Sequence, residues 1–261
     1  MTILIPTANL IAMGVTLGVC FLFPILLWVL LGRRHKGFSL AVLAGSVGFV
    51  VPQLIVRLPL VQLMAVQEWY QQTIGSWVLV QSLFLAFTAG LFETAGRALV
   101  FRFLLRRPLT PRLGVAAGLG HGGVEAMLMV GLTYISNLTL SVLLNSGSLP
   151  AAGQLQSAGY LLANTPSYVF LLAGYERVCT IFFHMALSLL LALSWMRGRK
   201  GAGFWLCVGL HTLVDFVVPL ASLQMGYGVT YLLLTAVALA SGVFLFRQLR
   251  AGDGMQHPAA S

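Results

Sequence analysis

Gly114–Ala126 reads GVAAGLGHGGVEA: one histidine and one glutamate set among glycine, alanine, valine and leucine. In water this run would make a poor helix, because each glycine costs about 1 kcal/mol against alanine. In a bilayer the backbone has to close its own hydrogen bonds, so a single segment that crosses it is a helix. Small residues then let neighbouring helices approach backbone to backbone. Gly114, Gly118 and Gly122 repeat every fourth residue, and Ala117, Gly120, Gly123 and Ala126 lie alongside. The stretch predicts a membrane-spanning helix packed closely on a neighbour, with His121 and Glu125 one turn apart on one face. The glycines read first as packing devices and second as room for a substrate backbone beside His121.

The rest of the chain agrees. Of its 261 residues, 59% are hydrophobic and 8% charged, with a mean hydropathy of +0.93. Several apolar runs exceed the length needed to span a bilayer, which predicts an all-α, polytopic transmembrane bundle. Helices are expected near 9–31, 38–64, 77–105, 113–136, 167–196, 203–223 and 226–246. That makes about seven spans, or eight or nine if the ambiguous stretch 137–166 crosses. Residues 1–250 read as one integral membrane domain and 251–261 as a short polar tail. The first run is too long for a signal-peptide core and is followed by Arg33, Arg34 and Lys36, so it reads as a retained span.

The formal net charge of +9 sits at helix ends. Arg33, Arg34 and Lys36, then Arg102, Arg106, Arg107 and Arg112, then Arg197, Arg199 and Lys200, and finally Arg247 and Arg250 fall on alternate connections. The connections 65–76, 137–166 and 221–228 hold no Lys or Arg. The positive-inside rule places the N-terminus outside and the C-terminus in the cytoplasm, and membrane lipid accounts for the basic balance without nucleic acid. On this count 137–166 is an outer or re-entrant segment, or two short spans. Arg57 falls in the outer half of the second helix, where it is expected to snorkel. Cys20, Cys179 and Cys207 lie in apolar runs with no CxxC spacing and read as small hydrophobes.

The clue to function is the set of ionisable groups inside these runs: Glu93, Arg97, His121, Glu125, Glu176, Arg177, His184, His211 and Asp215. A charged group at mid-helix costs about 2.5–3.5 kcal/mol even on the lenient insertion scale, so each is expected to pair, bind an ion or do chemistry. Counting from helix ends, Glu93, Glu125, His184 and Asp215 lie ~18 Å deep, and Arg97, His121 and His211 ~12 Å deep. Seven groups from four helices thus form two adjacent layers. Glu176 and Arg177 fall ~30 Å from the same boundary, outside the layers. They suggest a break at Gly174 or an outer ion pair, and stand as secondary candidates.

His121, His184 and His211 can supply three nitrogen ligands to a catalytic zinc, which keeps a position open for water. Glu93 or Glu125 can serve as base, Asp215 can orient His211, and Arg97 can hold a carboxylate or an oxyanion. Ser188 follows His184 by one turn but lacks a Gly-x-Ser-x-Gly context, and Asp215 is the only intramembrane aspartate, so serine and paired-aspartate mechanisms are disfavoured.

The segments Phe92–Arg97, Gly120–Ala126, Glu176-Arg177 with His184, and His211–Asp215 resemble the YhfC family of intramembrane metalloproteases, related to the type II CAAX-prenyl protease superfamily. Relatives carry Glu-Glu-x-x-x-Arg, Phe-x-x-x-His and His-x-x-x-Asn/Asp motifs. Here Phe92 stands at the leading Glu, and the second motif reads His-x-x-x-Glu. The resemblance implies catalytic roles for Glu93 with Arg97, for His121, and for His211 with Asp215. It also implies a peptide or membrane-protein substrate. Two further readings use the same residues: a non-catalytic scaffold or chaperone, and an ion- or proton-coupled transporter. The transporter reading would call for internal repeats, and none is evident.

Overall fold

The computed structural model describes residues 3–32, 35–105, 108–148 and 153–254, with side chains to residue 251. Arg33, Arg34, Arg106 and Arg107, and the tail from 255, lie outside the described residues. Among those described there are helices and turns and no strand. Six helices are long and apolar enough to cross a membrane. We label them α1 (Thr7–Gly32), α2 (Phe38–Ala65), α3 (Val78–Leu104), α4 (Pro111–Asn145), α6 (Ser167–Met196) and a final helix Lys200–Ala251. The short α5 (Gly153–Asn164) lies between α4 and α6.

The final helix spans 52 residues, so it would run ~78 Å if straight, against a hydrocarbon core of ~30 Å. It is two helices joined at Gly226, whose φ of 75° and ψ of 179° leave the helical region. Only glycine adopts that conformation at no steric cost. Leu210 and Val214 share a cavity wall with Ser241 and Val237, so the chain doubles back. We label the halves α7 (200–225) and α8 (227–254), which gives seven passes.

The segment 137–166 resolves differently from expectation. α4 does not stop near 136 but continues to Asn145, so only α5, with 12 residues, lies in the connection. That is too short to cross the membrane. The hydroxyls of this extension are satisfied inside the helix. Thr139 Oγ1 donates to the Ile135 carbonyl at 2.9 Å and Ser141 Oγ to that of Asn137 at 2.7 Å.

The basic helix ends gather at one side. Leu31, His35, Arg112 and Leu249 line one cavity, and Lys200 sits over Trp195, whose ring meets Phe101. At the other side, Asn145 exchanges hydrogen bonds with the backbone of Ile5, and Asn9 Nδ2 donates to the Leu162 and Thr165 carbonyls.

Glycines set the helix spacing. A Cβ at Gly45 would lie 1.9 Å from the Ala117 carbonyl oxygen, one at Gly120 1.8 Å from that of Val42, and one at Gly96 2.0 Å from that of Gly48. These are backbone-to-backbone contacts. Hydrocarbon gives apolar side chains no reason to leave it, so close packing of this kind holds such a bundle together. On the other face of α4, Gly114, Gly118 and Gly122 meet Leu189, Met185 and Ile181 of α6. The packing reading of the repeat therefore holds, and it fixes the antiparallel register of α4 on α6.

Candidate functional site

Glu93 projects from α3 into the centre of the bundle. Its Oε2 accepts from His121 Nε2 of α4 at 2.9 Å. Arg97 Nη2, one turn along α3, and His211 Nε2 of α7 are each 3.6 Å from the same oxygen, and His184 Nδ1 of α6 is at 4.0 Å. Four basic groups thus converge on one carboxylate oxygen. Arg97 also donates from Nη2 to His184 Nδ1 at 2.6 Å and from Nε to Ser188 Oγ at 3.2 Å. A guanidinium only donates, so His184 Nδ1 is the acceptor and its proton sits on Nε2. That Nε2 faces Glu125 Oε2 at 2.7 Å. His211 Nε2 lies 3.2 Å from Asp215 Oδ2. Glu93, Arg97, His121, His184 and His211 are all buried.

All seven residues of the two expected layers therefore join one network. Glu176 and Arg177, expected outside it, belong to it. Arg177 Nη1 donates to Glu125 Oε1 at 2.9 Å, and its Nη2 donates to Glu176. There is no break at Gly174; α6 is continuous from Ser167 to Met196, and Gly174 packs on Thr16. The register of α4 on α6 explains the difference. One more turn beyond the Gly122–Ile181 contact brings Glu125 level with Arg177. Counting from helix ends assumed that both helices end in one plane, whereas Gly114 already faces Leu189, leaving the last turns of α6 to extend past α4.

Arg57 is a second correction. It does not snorkel: it is buried, donates from Nη2 to the Leu85 carbonyl at 2.6 Å and from Nε to Thr88 Oγ1 at 3.1 Å, and lines the same cavity as Glu93. Residues 50–57 form wide π-helical turns around Pro52, which re-aim side chains relative to an α-helical count. Ser188 is fully buried and accepts from Arg97 Nε.

One donor atom each from Glu93, His121, Glu125 and His184 lies within 4.8 Å of all the others. Two imidazoles and two carboxylates suit zinc or a similar first-row ion. With the His121 proton on Nε2 facing Glu93, its Nδ1 is a bare lone pair, buried and without a partner. That atom points away from Glu93, so the His121 donor that faces the other three is Nε2, and the fit rests on the convergence and chemistry of the four donors. The residues present thus fit a metal. His211 is not one of these four; its Nε2 lies beside Glu93 and Asp215. A cavity of about 390 Å³ opens onto the group, lined by Glu93, Glu125, Glu176, Arg177, His184, His211 and Asp215, with Gln53 and Arg57 farther along.

The model of the YhfC intramembrane metalloprotease family matches residues 19–239, which include every residue of this network. The "Uncharacterized membrane protein YhfC" of Bacillus subtilis (strain 168) is 34% identical over 218 residues, covering 80% of this chain and 83% of its own length. No solved structure matches.

Proposed function

We propose that this chain, which belongs to the YhfC intramembrane metalloprotease family, is a zinc-dependent endopeptidase that cuts peptide bonds within or beside the membrane. One observation carries the reading. Four donor atoms from α3, α4 and α6 come within 4.8 Å of one another at the wall of a cavity in a hydrophobic bundle. Three of them, Glu93, His121 and His184, would hold the metal and leave a position open for water, with Glu125 beside it. A bound zinc supplies Lewis-acid polarisation of a peptide carbonyl and a water that ionises near neutral pH.

The neighbouring residues then have separate tasks. Arg177 and Glu176 fix the Glu125 carboxylate. An imidazole that ligates through Nε2 carries its proton on Nδ1, so Arg97 has to release His184 when that ring is a ligand. Arg97 Nη1 is without a partner, and once released the fork would hold, from behind Glu93, the oxyanion that forms from the substrate carbonyl. His211 has a buried Nδ1 without a partner and Asp215 on its other side. It would take the proton that the attacking water gives up and deliver it to the leaving amine as the C–N bond breaks, while Asp215 stabilises the imidazolium. A purely structural network would show the same pairs without a cavity opening onto them.

The purified chain is expected to retain a single zinc ion, to lose it in His121→Ala and Glu93→Gln, and to hydrolyse a quenched-fluorescent peptide library in a chelator-sensitive way. Metal-free protein of undiminished activity, or activity unchanged in His121→Ala, rejects the proposal. By the positive-inside rule the side bearing His35, Arg112 and Lys200 faces the cytoplasm of a bacterial cell, with the N-terminus outside.

A further inference from the structure

Two buried arginines, Arg57 and Arg177, line the cavity, and a third, Arg97, lies behind Glu93. Arg97 has Glu93 beside it and Arg177 has Glu125. Arg57 has no carboxylate partner among the described residues. Its two hydrogen bonds go to neutral acceptors, the Leu85 carbonyl and Thr88 Oγ1, so no carboxylate is paired with it directly, while Glu93 and Asp215 act on its charge from farther off. It is only 6% exposed, yet it lines the cavity. Gln53, one π-helical turn away, also lines the cavity and is 7% exposed, and its Oε1 is buried with no hydrogen-bond partner. Phe49, Gln53 and Arg57 follow one another at four-residue spacing, and the Phe49 ring meets His121 edge-on.

A buried guanidinium facing a cavity is built to receive an anion, and a carboxylate matches its fork in two parallel hydrogen bonds. An unfilled amide oxygen beside it calls for an N–H donor. A carboxylate with an N–H close by is the signature of a peptide. We infer that Arg57 and Gln53 form a carboxylate-binding subsite of this cavity. Leu85 and Thr88 precede Glu93 by eight and five residues on α3, so Arg57 is anchored roughly 8–12 Å along the helix from Glu93. An extended peptide rises about 3.3 Å per residue. The bond presented to Glu93 therefore lies about two to four residues from the anchored carboxylate. Calling that peptide a substrate rests on the endopeptidase reading; its binding does not.

The carboxylate comes either from a chain terminus or from an acidic side chain, and one experiment separates them. Three N-acetylated peptides of one apolar sequence are titrated into the purified full-length chain in detergent, with binding read by calorimetry. One is the free acid, one the C-terminal amide, and one the amide with a single glutamate. At least one acidic peptide is expected to bind about tenfold more tightly than the plain amide, as a charge-assisted pair should. Which one gains identifies the source. The preference is expected to vanish in Arg57→Gln and to survive in part in Arg57→Lys. Equal binding of all three peptides to the wild type, or an intact preference in Arg57→Gln, overturns the subsite. If Arg57→Gln does not fold, Gln53→Leu decides. It should weaken the most favoured peptide about threefold through the lost neutral hydrogen bond, and undiminished binding overturns the subsite. Hydrolysis is not the readout. A chain that prefers acids and cleaves nothing keeps the subsite and loses the endopeptidase reading, and a chain that cleaves without preferring acids does the reverse.

Discussion

Replacing Gly118 with alanine should dismantle the site without altering any of its side chains. A Cβ there would lie 2.5 Å from Met185 Cα and 2.6 Å from the His184 carbonyl oxygen. Both are backbone atoms, so neither can rotate aside. Carbon atoms rest about 3.5–4.0 Å apart, so α4 and α6 have to separate by about 1 Å. Two contacts cross that seam to Glu125: His184 Nε2 at 2.7 Å and Arg177 Nη1 at 2.9 Å. Opened by about 1 Å, both pass out of hydrogen-bond range. The overpacking costs roughly 1–3 kcal/mol, and displacement of reacting groups by 1 Å costs about 10²-fold in rate. Retained zinc and peptide hydrolysis are measured beside two comparators. At Gly122 the added atom would meet the His184 side chain at 3.1 Å, which can yield in part, whereas at Gly209 it would meet nothing within 4 Å. The expected order of damage is Gly118→Ala, then Gly122→Ala, with Gly209→Ala close to wild type. Full zinc and full activity in Gly118→Ala, or equal damage in Gly209→Ala, would refute the seam argument.

Arg177→Met leaves Glu125 and Glu176 without their shared cation and should lower stability by about 3–5 kcal/mol, with Glu125→Gln in the same chain restoring part of it; thermal unfolding in detergent checks both. Asp215→Ala should keep its zinc and lose about 10²–10⁴-fold in kcat, and joining it with His211→Ala should add little if the two act as one proton-handling unit. Arg97→Gln removes the guanidinium that occupies His184 Nδ1, so zinc retention should match or exceed wild type while kcat falls about 10²–10³-fold. A loss of zinc in Arg97→Gln would show that this arginine builds the centre instead of competing with it.

The passes and their order were legible in the sequence because hydropathy and loop charge report directly on which segments lie in lipid and which face water. Seven members of the polar cluster were legible too, since an ionisable group in lipid is conspicuous by its cost. What the sequence did not carry was register. The repeat at Gly114, Gly118 and Gly122 announced a packed face but not its partner residues, and an error of a turn and a half in α4 on α6 put Arg177 far from Glu125. Arg57 was misplaced for a related reason. A π-helical turn around Pro52 changes which residues share a face, and the proline marks a disturbed helix without saying which residues it re-aims.

The glycines and the ionisable residues are two halves of one constraint. In water, burial of apolar surface would press these helices together whatever lay between them; in hydrocarbon that force is absent, and charged side chains gain nothing from meeting unless the backbones already approach. The polar contacts of Glu93 and His121 are accordingly flanked by glycine contacts within about one turn. Gly96 on Gly48 and Gly90 on Val208 bracket Glu93, with Arg97 next to Gly96, which brings α3 against both α2 and α7. Gly120 on Val42 and Gly122 on Ile181 bracket His121. The Gly90 contact reaches Thr212, the residue after His211, and so sets the 3.6 Å approach of His211 to Glu93. An alanine at any of these positions acts on the chemistry as surely as a change to a ligand, and the two kinds of substitution should be non-additive wherever they act on the same pair.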